Sequence, residues 1–346
     1  MKRKIWMVVV VISATALAAS GGEAPTTAGP SKDRPTLRLV TYSSFVLDPE
    51  VERQVEVRLG VELEVSASGD AGEALARAIL NAGSPEGDVF FGLDNTLMSK
   101  ALAGDVFVDP DGVELPAWSR PDDASPTVAI NWGAVCVDYD RGWFDERALE
   151  PPATISDLID PQYRDLLVMP SPASSSPGLV FLSAVHSSID EPVAFWEALK
   201  SNGVEVVGSW DDAWFERYTV NGGDRPLVIS YASSPPAEVY FSEGAITEPS
   251  TGVAEGTCAR QTEFAAVLRG TEQPDLAARL VLEMTGETWQ NSLPLTNFVE
   301  PLRPGSVRPD LFERFAPIPT TMIELDPALV GSKRDDWVTA WRNVME

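Results

Sequence analysis

The sequence has few of the residue types that hold metals or perform catalysis. Its 346 residues include one histidine, His186, and two cysteines, Cys136 and Cys258. Transition-metal sites are built mainly from histidine and cysteine, so this composition excludes a conventional zinc or copper centre. The chain also has no G-x-S-x-G motif, which leaves a serine hydrolase without its nucleophile turn. We therefore expect a protein with no catalytic residues, no metal and no cofactor.

Basic residues are scarce as well. The chain has 26 lysines and arginines against 52 aspartates and glutamates, which gives a formal net charge of -26. Such a surface repels the phosphates of nucleic acids and of anionic lipids. The acidic residues are spread along the chain rather than gathered in one tail, so most of them are expected to face solvent. Nucleic acid is therefore excluded as a partner.

The N-terminus has the pattern of a targeting segment. Positive charges at residues 2–4 precede an apolar run over residues 5–17, which is too short to span a membrane comfortably. This pattern predicts a signal peptide over residues 1–20. The protein is then exported to the periplasm or to the outer face of the cytoplasmic membrane.

Two features follow the apolar run. Residues 17–22 resemble the cleavage region of a bacterial lipoprotein signal, but Ser20 stands where the lipid-bearing cysteine belongs. Export is thus expected, and a lipid anchor is left open. Residues 21–35 are small, polar and rich in proline, which is typical of a flexible tether. The folded part is expected to begin near Thr36.

The folded part begins with three strands that alternate with helices up to Gly104. This alternation predicts a parallel sheet covered by helices. Two long extended runs, 127–138 and 251–266, interrupt the pattern, and we interpret them as crossings between two lobes. The first lobe is expected to contain residues 36–130 and 256–346, and the second lobe residues 131–255.

The two cysteines lie in these two crossing runs. An exported chain folds in an oxidising compartment, where two cysteines permit one disulfide. Because the crossing strands should be neighbours, we expect Cys136 and Cys258 to be joined. The alternative is two separate buried thiols.

Four strand ends carry aromatic or hydroxyl side chains, namely 41–44, 174–176, 209–210 and 231–234. Ligands of open α/β sheets bind at the carboxyl ends of strands. Aromatic faces bind a heteroaromatic ring or a cation, and serine hydroxyls with helix N-terminal amides bind phosphate oxygens. The alternative for the serines is helix capping alone, with Ser176 as the N-cap of a helix that Pro177 begins.

At these strand ends the chain resembles the thiamine-binding proteins of bacterial ABC importers. The matching motifs are TYSSF at Thr41, GLDN at Gly92, SSSPGL at Ser174, SW at Ser209, ISYASSP at Ile229 and PLTNF at Pro294. The resemblance covers the chain from Leu37 to the C-terminus. It implies an α/β, two-lobed type II periplasmic binding protein, with parallel-type sheets flanked by helices and a hinge of extended crossing segments.

The resemblance also implies a function. The protein would capture thiamine, thiamine monophosphate or thiamine diphosphate in the cleft between the lobes, act as a monomer, and deliver the ligand to an ABC permease. Aromatic lining would come from Tyr42, Trp210, Tyr231 and Phe298. Asp94 would meet the thiazolium or the aminopyrimidine, and Ser175 would face a phosphate. The full set of expected ligand-binding residues is Tyr42, Ser43, Asp94, Asn95, Ser174, Ser175, Trp210, Tyr231, Asn297 and Phe298.

The chain departs from the family pattern at two positions, which have Phe298 in place of a tryptophan and Ala237 in place of a second tyrosine. Tyr240 would be one helical turn away from the latter. Two other ligands suit the same fold, iron(III) and polyamines, but the chain has no Tyr-Tyr pair and the strand ends supply few carboxylates. An extracellular glycoside-processing enzyme is the alternative of another class, and the order of strands disfavours it.

Overall fold

The folded region begins with a buried strand, as the sequence predicts. The computed structural model describes residues 34–67, 69–120 and 125–346, so the predicted signal peptide and the predicted tether up to residue 33 lie outside the described residues. Strand β1 (Thr36–Thr41) leads to helix α1 (Pro49–Leu59). Asp48 caps this helix by accepting hydrogen bonds from the amides of residues 50 and 51, and an apolar face four residues apart packs into the core.

The first part of the chain continues the alternation of strands and helices. Its elements are β2 (Glu62–Ala67), α2 (Ala71–Leu80), β3 (Val89–Asp94), α3 (Met98–Ala103) and β4 (Phe107–Val108). The middle part contains β5 (Thr127–Asp140), α4 (Arg141–Glu146), β6 (Leu167–Pro170), α5 (Ser176–Ser188), α6 (Pro192–Ser201), β7 (Glu205–Val207), a π-helical segment (Asp212–Arg217), β8 (Leu227–Tyr231) and α7 (Ser234–Phe241).

The last part begins with the longest strand and ends in the longest helix of the described chain. Its elements are β9 (Thr251–Leu268), α8 (Pro274–Met284), α9 (Glu287–Thr296), β10 (Glu300–Pro301), α10 (Asp310–Phe315) and α11 (Pro327–Met345). No helix among the described residues combines the length and the apolar character that a membrane crossing requires.

The strands form one mixed sheet in the order β2-β1-β3-β9-β5-β8-β6-β7. At one end β1 runs parallel to β2 and β3, and at the other β6 runs parallel to β7 and β8. We call these the first and the second parallel group. The long strands β5 and β9 lie between them and run antiparallel to each other. These two strands are the crossing segments that the sequence predicts.

Helices pack on both faces of the sheet, and the larger of two buried clusters extends from the second parallel group to Val40 and Phe90 of the first. Val55 of α1, Val281 of α8 and Trp289 of α9 are buried in a cluster with the strands of the first group. Helices α5, α6 and α11 contribute Leu182, Trp196 and Trp341 to a second and larger cluster. Burial of apolar area on both faces of the sheet is what holds each group of parallel strands together.

The crossing strands carry a disulfide. Cys136 of β5 and Cys258 of β9 are bonded, with their Cα atoms 4.2 Å apart. The bond lies where the ladder between the two strands is irregular, because the pairing shifts between Val135 and Val137. The disulfide thus joins the two strands at a point where backbone pairing is interrupted.

Two local expectations are wrong. The sequence predicts a loop over residues 291–301, but α9 continues to Thr296 with Pro294 inside it. Burial of Trp289 and Leu293 outweighs the poor helix propensity of the proline. In addition, α5 begins at Ser176, so Ser175 is the N-cap residue in place of Ser176.

Candidate functional site

The carboxyl ends of β1 and β8 open into a cavity of about 1020 Å³. Of the ten side chains that the sequence predicts as ligand contacts, the lining includes Tyr42, Ser43, Trp210, Tyr231, Asn297 and Phe298. The remaining four are not part of the lining. The strand ends therefore do converge, and they bring together all four aromatic members of the predicted set with Ser43 and Asn297.

A hydrogen bond and contacts with two other aromatic rings hold Trp210 in the cavity wall. Its indole Nε1 donates a hydrogen bond to Ser230 Oγ at 2.9 Å, and its ring stacks on Trp214 with centroids 5.9 Å apart. Tyr231 meets the same ring edge-on at 6.2 Å. These contacts fix the orientation of a flat aromatic surface on the second parallel group. Trp214 and Phe215 also line the cavity, and both were missed as site residues because they follow the strand end by a full helical turn.

The opposite wall comes from the first parallel group and the end of α9. Tyr42 packs against Phe45 and Phe91. Asn297 bonds the backbone of Val46 in both directions, because its Oδ1 accepts from the amide and its Nδ2 donates to the carbonyl, each at 2.9 Å. Asn297 therefore holds the loop after β1 in place while it lines the cavity.

Phe298 lies on a wall that other phenyl rings support. It stacks on Phe312 at 6.1 Å and lies 5.4 Å from Phe241. Ala237 and Phe241 line the cavity, whereas Tyr240 contacts Phe298 from outside the lining. The aromatic ring on this stretch of the lining is thus Phe241, which is 68% exposed.

The charge of the cavity is entirely acidic. Its carboxylates are Asp70, Asp211, Asp212, Glu216, Glu238 and Glu263, and no lysine or arginine is among the described residues that line it. The sequence indicates few carboxylates here, and that expectation is wrong. Of the six, only Asp211 directly follows a predicted strand end, whereas the others lie on helices, in a loop and on a crossing strand. A cation, rather than an anion, suits such a lining.

Glu263 lies at the floor of the cavity on β9. It accepts a hydrogen bond from Asn131 Nδ2 at 2.9 Å and one from the hydroxyl of Tyr42 at 3.4 Å. Burial raises the pKa of Glu263 to about 7, and the neighbouring carboxylates of Asp94 and Asp70 contribute in the same direction. Glu263 is therefore a buried acid whose charge responds to what enters the cavity.

Asp94 lies behind the lining and is fully buried. Its carboxylate accepts hydrogen bonds from the amide and the hydroxyl of Thr96, from the amide of Leu97 and from the hydroxyl of Ser176. Burial raises its pKa, while the hydroxyl of Ser176 opposes that effect. Asp94 thus contributes negative charge to the region but uses its hydrogen bonds within the protein.

The other expected contacts make internal hydrogen bonds or none. Asn95 Oδ1 accepts from the amide of Thr262 at 2.8 Å, and Ser174 Oγ donates to the carbonyl of Gly208 at 2.6 Å. Ser175 Oγ is buried beside the carboxylate of Asp70, where it opposes the rise in the pKa of that acid. Ser43 lines the cavity and donates to Asp211 Oδ2 at 2.9 Å, which links the two parallel groups.

Asp70 also lines the cavity and is absent from the predicted set of ligand contacts. It caps α2 by accepting from the amide of Ala71 at 2.7 Å, and it also accepts from the amides of Ser176 and Trp210, each at 3.2 Å. Burial raises its pKa, and these hydrogen bonds act in the opposite direction. An aspartate directly before an alanine-rich helix is a capping signal. Its contacts with the second group depend on tertiary structure.

The bacterial extracellular solute-binding protein family matches residues 85–258, which is half of the chain. The chain belongs to this family. The predicted resemblance to binding proteins of importers is thereby confirmed at the level of the family.

Two bacterial proteins are similar to this chain over at least 90% of its length. The thiamine-binding periplasmic protein of Salmonella typhimurium is 27% identical over 92% of this chain and 96% of its own. The Escherichia coli protein of the same name is also 27% identical, over 90% and 94%.

Solved structures agree with this assignment. A periplasmic thiamin binding protein superimposes with a TM-score of 0.78 at 25% identity, and the match covers 91% of this chain and 98% of the other. A ferric binding protein from Campylobacter jejuni has a TM-score of 0.70 at 15% identity over 89% and 99%, which shows the fold alone. The predicted two-lobed fold is confirmed.

Proposed function

We propose that this solute-binding protein captures thiamine outside the cytoplasmic membrane and delivers it to an ABC permease. The observation that carries the proposal is a cavity in which aromatic rings and six carboxylates meet without a basic side chain among its described lining residues. Thiamine joins a flat aminopyrimidine to a permanently cationic thiazolium. The names of the relatives support the same ligand.

The proposed contacts follow from the two walls. Trp210 and Tyr231 offer aromatic faces on the second parallel group, and Tyr42 offers one on the first. A desolvated cation over such a face is stabilised by cation–π attraction. Glu263, next to Tyr42, supplies a counter-charge at the floor of the cavity. Ser43, Asn297 and Phe298 complete the proposed lining.

The residues at the start of α5 bear on whether the ligand carries a phosphate group. The sequence predicts that Ser174 and Ser175, together with the amides that begin α5, bind a phosphate group. In the structure the amide of Ser176 is bonded to Asp70. We therefore propose free thiamine as the preferred ligand, with its monophosphate and diphosphate as weaker ones.

The lobes and the cellular location are also proposed. Residues 36–130 with 256–346 form one lobe, and residues 131–255 form the other, so that a ligand is enclosed between them. The protein works as a monomer in the periplasm or at the outer face of the cytoplasmic membrane. Residues 1–20 direct its export.

A polyamine is the second candidate ligand, because the lining has more carboxylates than the sequence indicates. A polyamine has several separate positive charges and no ring, so it uses the carboxylates and gains little from stacking. Thiamine uses the aromatic walls as well. The presence of Trp210, Trp214 and Phe215 together on one wall favours thiamine.

Calorimetry tests the proposal. The purified protein is unfolded and refolded to remove bound molecules, and is then titrated with thiamine, thiamine monophosphate, thiamine diphosphate and spermidine. We expect saturable binding of thiamine at one site per chain, and binding of spermidine at least tenfold weaker. Tighter binding of spermidine, or no binding of any thiamine compound, would refute the proposed ligand.

A further inference from the structure

The indole of Trp210 begins a chain of hydrogen bonds that leads away from the cavity. An indole N–H can only donate, and its acceptor is the hydroxyl oxygen of Ser230, at 2.9 Å. Ser230 Oγ lies 2.9 Å from Ser234 Oγ, which also accepts a hydrogen bond from the backbone amide of Tyr231 at 3.2 Å. Both serines are buried. This hydroxyl chain of Ser230 and Ser234 therefore joins the cavity wall to the first residue of α7.

A buried carboxyl group lies at the far end of the hydroxyl chain. Asp138 of β5 is fully buried and pairs with Val228 of β8. Two residues earlier, Cys136 pairs with Ser230. Paired residues of an antiparallel ladder share a face, as do residues two positions apart in one strand, so Asp138 and Ser230 project from the same face of the sheet. Burial raises the pKa of Asp138 well above its usual range, and the hydroxyl of Ser234, which faces the carboxyl group, acts in the opposite direction.

The carboxyl group of Asp138 sets the direction of the donors in this chain. Each serine hydroxyl has one proton to donate, and a carboxyl oxygen accepts whether the group is ionised or protonated. When Ser230 donates to Ser234, the proton of Ser234 is available to Asp138. In the reverse order Ser234 donates its proton to Ser230, and the buried carboxyl group loses that hydrogen bond, which costs free energy. The favoured direction therefore runs from the indole through both serines to Asp138.

This direction matters for the aromatic wall that Trp210 forms. Stacking on Trp214 fixes the plane of the indole, but apolar contact has little directionality and allows the ring to turn within that plane. The hydrogen bond of Nε1 sets the angle within the plane, because such bonds weaken steeply when they bend. Neighbouring hydrogen bonds in a chain also strengthen one another. The last acceptor of the chain thus contributes to the orientation of the first donor.

We propose that Asp138 is a positioning residue of the binding site, which ends the hydroxyl chain of Ser230 and Ser234 and thereby fixes the orientation of the Trp210 indole toward the ligand. Asp138 is not among the described residues that line the cavity, so it acts on affinity through Trp210. The proposal rests on the function proposed above for the identity of the ligand, a flat heteroaromatic cation. The orientation of the indole can be measured without any ligand.

Asp138→Asn and Asp138→Leu form a matched pair for the test. Asparagine keeps an acceptor oxygen where the carboxyl group lies, whereas leucine has a similar size and no acceptor. The readout is the indole N–H signal of Trp210 in heteronuclear NMR spectra of the protein without ligand, assigned by its loss in Trp210→Phe. We expect Asp138→Leu to shift this signal and to speed its exchange with solvent by about fivefold, the effect of about one net hydrogen bond. Asp138→Asn should leave the signal close to its native position.

Thiamine affinity, measured by calorimetry, is the second readout. Asp138→Leu should weaken binding by about threefold to tenfold, and Asp138→Asn should retain most of the native affinity. In Trp210→Phe the ring has no N–H to orient, so the further change Asp138→Leu should alter the affinity by less than about twofold. Equal losses in the two backgrounds would overturn the proposal, because Asp138 would then act on the fold and not through Trp210.

Tyr218→Phe is the control for the loss of a buried polar atom. The hydroxyl of Tyr218 lies 3.1 Å from Thr251 Oγ1, outside the hydroxyl chain, and its ring is in one buried cluster with Val228, the strand partner of Asp138. This variant should leave the Trp210 signal and the thiamine affinity close to native. A signal that moves equally in Tyr218→Phe and Asp138→Leu would contradict a specific role of Asp138.

The two readouts separate this proposal from the proposed function. Failure of the native protein to bind thiamine would refute the function and would leave the NMR comparison valid. An unchanged Trp210 signal in Asp138→Leu would refute the role of Asp138, whichever ligand the cavity takes. If the leucine variant does not fold, Ser234→Ala breaks the same chain one position earlier. It should move the signal in the same way, and an unchanged signal there would refute the proposal as well.

Discussion

Two sets of buried and half-buried acids among the described residues differ in their partners. Glu300 lies 3.0 Å from the guanidinium of Arg308, and Glu205 lies 2.9 Å from that of Arg225. The acids of the cavity floor are buried as deeply or more so, but they accept hydrogen bonds from amides, hydroxyls and the amide side chain of Asn131. Arginines of the protein neutralise the first set of acids, whereas no described basic side chain lines the cavity beside the second set.

The partners of an acid indicate whether it stabilises the fold or serves a function. A buried charge is costly unless it is paired, and a pair of opposite charges holds its partners in place. Acids without a cation raise their pKa instead, as Glu263 does. A cluster of acids without a cation is typical of a functional site, and the proposed cationic ligand would supply the missing positive charge.

The largest expected difference between the two sets of acids is in the pH dependence of the free energy of unfolding. The pKa of Glu263 is about 7 in the folded protein and near 4.5 in an unfolded chain. Its contribution to stability is therefore fully present below about pH 4.5 and is lost as the pH rises through 7. Without ligand, raising the pH from 5 to 8 should lower the free energy of unfolding by about 2 to 3 kcal/mol through this group. Urea unfolding at both values measures it.

The control is Glu263→Gln, which should remove that part of the pH dependence. In the native protein a cationic ligand should bind more tightly as the pH rises through 7, because it favours the ionised carboxylate. Binding should therefore release a proton, which calorimetry in buffers of different ionisation enthalpy detects. A pH dependence that is identical in the native protein and in Glu263→Gln would assign the effect to other groups.

The next effect concerns the aromatic walls. Tyr42→Ala and Tyr231→Ala should each weaken thiamine binding by about 1 to 3 kcal/mol, because a desolvated aromatic face is lost. The fold should remain intact, as circular dichroism would verify. Tyr42→Phe and Tyr231→Phe are matched controls that keep the rings and should retain most of the affinity. Unchanged affinity in both alanine variants would contradict the proposed lining.

The smallest expected effect is that of replacing an acid that is paired with an arginine. Glu300→Gln should lower the free energy of unfolding by about 1 to 2 kcal/mol, because it leaves the half-buried Arg308 without its counter-charge. Thiamine affinity should not change, since Glu300 is outside the cavity lining. Thermal unfolding and calorimetry measure the two quantities. A loss of thiamine affinity with no loss of stability would show instead that Glu300 acts on the ligand and not on the fold.

Local patterns could predict which aromatic residues meet in the cavity. Tyr42 follows β1, Tyr231 is the last residue of β8 and Trp210 lies three residues after β7, and the carboxyl ends of strands meet in this class of fold. The acidic part could not be predicted in the same way. Asp70 reaches the amide of Ser176 across 106 positions of sequence, and only the approach of the two parallel groups brings them together. Helix α9 shows the same limit, because burial of Trp289 decides its length.

The ladder between β5 and β9 is irregular at two points that differ in how the strands are joined there. The pairing of these strands shifts between Ala129 and Asn131 and again between Val135 and Val137. The bond between the two cysteines bridges the strands at the second shift, and no covalent bond does so at the first. Asn131 is at that first shift, and its side chain donates to Glu263. The irregularity that no disulfide crosses therefore lies beside a buried acid of the cavity.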